Sequence, residues 1–141
     1  MIKIEFLVYN FSGVPFHYKK FLTEITERVI QKELKKINSL IKKVEISLIL
    51  VKSKESLKLN KIWRKKKYVP EDLSFPQFSR GDLKKSQESS IILGDIFLTP
   101  ELILGKDNYK KVTVHSLLHL LGYDHNTKKE EQEMQKIEQT F

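Results

Sequence analysis

The chain contains no cysteine, so no disulfide staples it, and any metal it holds is bound through nitrogen and oxygen. A thiol-free chain suits a reducing compartment, and a cytoplasmic location is expected. Glycine and proline are scarce, at five and four residues, which leaves no flexible or low-complexity linker to divide the chain. No apolar run approaches the roughly 20 residues of a membrane span, so no membrane association is expected. The opening "MIKIEFLVYN" alternates instead of setting a charged head before a continuous apolar block, and reads as a first strand rather than a signal peptide. Acidic residues are outnumbered, 18 against 26 Lys and Arg, and the net charge of +8 predicts attraction to polyanions. At 141 residues the expectation is one domain, residues 1–141, large enough to bury a core unaided.

The excess positive charge is concentrated. From Ser56 to Pro70 there are six Lys or Arg and no Asp or Glu, with Trp63 and Tyr68 among them. Cations that meet phosphates, interleaved with rings that stack on unpaired bases, suit single-stranded nucleic acid. Lys61, Arg64, Lys65, Lys66 and Lys67 are the candidate contacts.

Hydrophobic periodicity outlines an α+β domain with a small mixed sheet packed against helices. Ile2, Ile4, Phe6 and Val8 alternate as in a strand, and "VEISLILV" (Val44–Val51) reads as a second. Between them Tyr18, Leu22, Ile25 and Val29 recur at helical spacing, predicting an amphipathic helix to about Glu33–Lys36. Ser53 is expected to cap a helix carrying Leu59, Ile62 and Trp63. "VPEDLSFPQF" breaks regular structure with two prolines and leaves a short strand at Leu73–Phe75. "SSIILGDIFLT" is a third clear strand, where Gly94 marks a bulge or a close backbone approach. A helix is expected after Asp107–Asn108, running to about Leu121 with Gly122 as terminator. Thr127 and Glu130 form a capping box for a last helix striped by Met134, Ile137 and Phe141.

The densest chemistry lies in "VHSLLHLLGYDH", which holds three of the four histidines. Residues four apart share a helix face, so His115 and His119 point the same way, with Cβ atoms about 5–6 Å apart. Gly122 permits the left-handed turn that returns His125 to them. Three neutral imidazoles with a fourth position open make a catalytic zinc set, so one zinc or similar divalent transition ion per chain is expected. His17 stands apart as an ordinary loop or helix-start residue.

The same histidine and glycine spacing occurs in metzincin peptidases, which place a glutamate base directly after the first histidine. Here that position is Ser116, which cannot take a proton near neutral pH. Asp124, beside the third histidine, reads as a substitute base or equally as an outer acceptor or turn residue. A second alternative is a non-catalytic RNA- or ribosome-binding module with a structural metal, but such sites are usually closed by four protein ligands.

"HSLLHLLGYDH" closely resembles the signature of the YbeY endoribonucleases, H-G-x-L-H-L-x-G-Y-D-H, departing from it only at Ser116. "LNKIWRKKK" is similar to that family's asparagine- and arginine-bearing helix end, while "LSFP" and "LGDI" resemble its two core-strand motifs. Where the family reads threonine-aspartate-valine before "LSFP", this chain has "PED", so no role passes to Glu71 or Asp72. The resemblance implies a metal-dependent endoribonuclease specific for single-stranded RNA. It also implies work in rRNA processing, especially the 3′ end of small-subunit rRNA, and in ribosome quality control, with ribosomal subunits as partners and no DNA specificity. It carries catalytic roles over to His115, His119, His125 and Arg64, the last as a phosphate clamp.

Overall fold

In the computed structural model, which describes residues 1–141, the alternating segments become strands β1 (Lys3–Asn10) and β2 (Lys43–Leu50). They lie parallel and are joined by helix α1 (Lys19–Ile37), whose buried stripe runs through Leu22, Ile25, Val29, Ile30 and Leu34. The "LSFP" segment forms β3 (Asp72–Pro76), and "SIILGDIFL" forms β4 (Ser90–Leu98). Strand order is β1-β2-β4-β3, with β3 antiparallel at the edge, so the sheet is mixed as expected.

Gly94 does both things its position suggested. Register between β2 and β4 slips after Glu45, leaving Leu93 as the extra residue of a bulge. The bulge resets the phase of burial, from Ile91 and Leu93 to Ile96 and Leu98. A Cβ on Gly94 would run into the Phe75 carbonyl oxygen and come within 2.9 Å of Leu120 Cδ2. Neither side can yield cheaply, because one is strand backbone and the other is packed core. Gly94→Ala is therefore expected to cost about 3 kcal/mol and lower Tm by roughly 10 °C in a thermal melt. An unchanged Tm would contradict the packing at this crossing.

Helix α4 (Lys106–Leu120) crosses this point and buries Val114, Leu117, Leu118 and Leu120 against the sheet and α1. It starts slightly before the expected Asp107–Asn108 boundary. Both residues lie in its first turn, where Asp107 meets the helix dipole and Asn108 Nδ2 donates to the Leu104 carbonyl. The last helix, α5 (Lys128–Glu138), has its capping box: Glu130 N–H donates to Thr127 Oγ1, and Thr127 N–H to Glu130 Oε1.

The second predicted helix differs more. Helix α2 covers Ser53–Leu59 only, and Asn60–Arg64 widens into a π-helical turn that ends at Lys65 with φ 58°. Lys52, not Ser53, is the N-cap, and the Ser53 N–H donates to the Glu101 carboxylate instead. The turn widens around Asn60, which is fully buried and donates from Nδ2 to the Tyr68 carbonyl. Ile62 and Trp63 consequently face outward, half and two-thirds exposed. Two short elements had no sequence signal: helix α3 (Arg80–Lys85), capped by Ser79, and a 3₁₀ turn at Pro100–Leu102. No helix is long and apolar enough to cross a membrane.

Candidate metal centre

The end of α4 is a Schellman turn. Gly122 N–H donates to the His119 carbonyl and Tyr123 N–H to the Leu118 carbonyl, each at 3.0 Å. Gly122 takes φ 88°, and a Cβ there would lie 2.8 Å from Arg80 Cα, so the turn is closed tightly against α3. Its effect is to fold the chain back after a single glycine and deliver His125 to the face that carries His115 and His119.

The three histidines offer ligand nitrogens that all lie within 4.8 Å of one another. The Nε2 atoms of His115 and His119 are 3.1 Å apart, and the ring centroids of His125 stand 5.7 and 5.0 Å from those of His115 and His119. Two nitrogens bound tetrahedrally at about 2.0–2.1 Å stand roughly 3.3 Å apart, so the cluster fits a zinc-sized ion with little adjustment.

The surroundings fix which nitrogen faces inward. His119 Nδ1 donates to the Tyr123 carbonyl at 3.1 Å, and His115 Nδ1 lies 3.4 Å from Glu138 Oε2 on α5. Both contacts leave Nε2 for the ion, the arrangement in which an outer acceptor orients a ligating imidazole. Burial, and then the charges His115 and His125 would carry, push the His119 pKa below its ordinary value. The shift favours the neutral imidazole that metal binding requires. Tyr123 is itself anchored: its hydroxyl donates to Glu33 Oε1 at 2.7 Å, and Arg80 stacks over its ring at 4.2 Å. Burial first, then the Glu33 carboxylate, raise the Tyr123 phenol above its usual range. Glu33 is almost wholly buried in α1 and also pairs with Lys36 Nζ at 3.1 Å.

Asp124 is committed to the turn. Its Oδ1 accepts from the His125 N–H at 2.8 Å and its Oδ2 from Asn126 Nδ2 at 2.7 Å, which matches the turn reading over the base. Arg64 lines the same cleft as the three histidines, a space of about 850 Å³ walled by β3, the start of α3 and the end of α4. Lys61, Lys65, Lys66 and Lys67 do not line it; they are exposed on and after the π turn. His17 is exposed and lies outside the group.

Local spacing gave no notice of Asp72, Arg80, Tyr123 or Glu138 as parts of this site. Glu33 had one usable signal, a charge on the buried stripe of α1 one turn after Val29 and Ile30.

The chain resembles known proteins along nearly all of its length. The profile of the family described as Endoribonuclease YbeY matches residues 13–141. Endoribonuclease YbeY of Bartonella bacilliformis is 34% identical, the match covering 98% of this chain and 89% of that protein. The protein of the same name from Mesomycoplasma hyopneumoniae is 31% identical over 90% of this chain and 85% of its own. The solution structure of TM1509 from Thermotoga maritima shares the fold, with a TM-score of 0.50 at 22% identity over 99% of this chain and 87% of that one. A profile matching from Gly13 to the last residue, together with relatives above 30% identity matched over 85% or more of either chain, makes this chain a member of the endoribonuclease YbeY family.

Proposed function

We propose that the whole chain, residues 1–141, is one metal-dependent domain that cuts single-stranded RNA at the cleft shared by Arg64 and the three histidines. Family membership makes the chain an endoribonuclease, a hydrolase of phosphodiester bonds. The observation that carries the finer reading is three converging imidazoles and an arginine lining one open cleft.

His115, His119 and His125 hold the ion, and zinc suits an all-nitrogen set of three ligands. Such an ion supplies Lewis acidity and lowers the pKa of a coordinated water toward about 7. That acidity removes the need for the glutamate that peptidases carry at the position of Ser116. Arg64 pairs its planar fork with the non-bridging oxygens of the scissile phosphate and neutralises the charge that builds there. The exposed lysines after it attract the RNA backbone without entering the chemistry.

A structural metal fits less well, because only three ligands converge and Asp124 is occupied by its own turn. A peptidase fits less well too: Ser116 is no base, and a +8 chain favours a polyanionic substrate. The cytoplasm, rRNA 3′-end maturation of the small subunit, ribosome quality control and indifference to DNA complete the proposal, on the strength of the family likeness.

The test is cleavage of single-stranded RNA and of casein by the purified protein, before and after chelation. RNA is expected to be cut, casein left intact, and RNA cutting lost on chelation and restored by zinc. Cleavage of casein, or RNA cleavage that survives complete removal of metal, would overturn the proposal.

A further inference from the structure

Glu71 and Asp72 both line the cleft and have no part in the chemistry above, but only Asp72 has a side-chain contact to the metal helix. Asp72 opens β3 and lines the cleft with Arg64 and the histidines. Its Oδ2 accepts from the Ser116 hydroxyl at 2.8 Å, and Ser74 Oγ donates to the Ser116 carbonyl at 3.4 Å. Asp72 and Ser74 thus point from the edge strand to the metal helix at the residue after His115. Ser116 is fully buried, so its hydroxyl serves Asp72 and meets no substrate. Asp72 Oδ1 accepts nothing from the protein and remains open to solvent. No lysine, arginine or histidine nitrogen stands within 4.0 Å of this carboxylate.

A carboxylate accepts hydrogen bonds and donates none. One with no cation beside it in a cleft for a polyanion repels phosphate, and a donor brought by the substrate to its open oxygen offsets that repulsion. Near a scissile phosphate held by Arg64 and the ion, the donor that must enter the same cleft is the 2′-hydroxyl of the adjoining ribose. Base amines are carried away from the backbone and need not enter. We infer that Asp72, held in place by Ser116, accepts a hydrogen bond from a ribose 2′-hydroxyl and so selects RNA over DNA at this site.

The inference rests on the cleft being the RNA site, and the experiment separates the two. Short single-stranded RNAs, each with one 2′-deoxy nucleotide at a successive position, compete with a fluorescent RNA for wild type, Asp72→Ala, Asp72→Asn and, as a control outside the cleft, Glu88→Gln. In wild type and the control, one position is expected to lose roughly tenfold in affinity. In Asp72→Ala the same substitution should cost less than about twofold, and in Asp72→Asn, which keeps a neutral acceptor, an intermediate amount. Ser116→Gly, which frees the carboxylate, should also blunt the discrimination. Should Asp72→Ala fail to fold, Asp72→Asn and Ser116→Gly still decide the matter. Equal deoxy penalties in wild type and variants would overturn the inference, whether the true contact is a base or nothing. Cleavage of the all-RNA strand by the same wild-type preparation reports on the functional reading separately.

Discussion

His119→Ala is expected to abolish stoichiometric metal binding and to lower RNA cleavage by at least about 10³-fold. His119 Nδ1 is committed to the Tyr123 carbonyl, and burial lowers the pKa of its ring. Removing it leaves His115 and His125, two ligands on opposite sides of a turn, which is too few for a stable site. A bound ion contributes several kcal/mol of transition-state stabilisation, and each 1.36 kcal/mol is a factor of ten in rate, hence the magnitude. Elemental analysis reads the ion and a labelled RNA reads the activity. The fold should survive, because the three histidines are not among the residues of the apolar core. Retention of one ion per chain in a folded variant would refute the ligand assignment.

Arg64→Ala is expected to reduce single-turnover cleavage at saturating enzyme by on the order of 10²–10³, with far less effect on RNA affinity. Charge accumulates on the phosphate oxygens only as the bond breaks, so a donor aimed at them acts on the rate more than on binding. Arg64→Lys keeps the charge but loses the two-pronged geometry, and should recover only part of the rate. Metal content should be unaffected in both variants, since arginine is no ligand. The π turn gives Arg64 its place: Asn60, buried and tied to the Tyr68 carbonyl, pins the start, and Lys65 in the left-handed region ends it. If saturated Arg64→Ala cleaves at the wild-type rate, Arg64 is a surface or binding residue only.

What could be read from the sequence was whatever depends on near neighbours. The four-residue spacing of His115 and His119, the glycine that turns the chain back, the capping box at Thr127 and the short run of branched residues in β2 are all local. Each appears in the structure where the pattern put it. Gly94 was legible too, because a glycine inside an apolar strand has few reasons to be there. The failures share a cause. The π turn depends on a buried side chain, Asn60, overriding the helical rhythm of Leu59, Ile62 and Trp63. Helix α3 is too short to show a period, and only Leu83 in it is buried. The partners that steady the site come from distant segments: Glu33 reaches Tyr123, Glu138 reaches His115, and Asp72 reaches Ser116. No local window contains both ends of such a pair.

The placement of β4 has a consequence for the order of assembly. It is the last strand in the chain yet lies between β2 and β3, so β3 has no neighbour to pair with until β4 has been made. Helix α4 follows and packs on both α1 and the sheet, and only after α4 and its turn does α5 bring Glu138 to His115. A chain emerging from the ribosome therefore completes its scaffold before its chemistry. The last contacts to form are those that turn three histidines into a site.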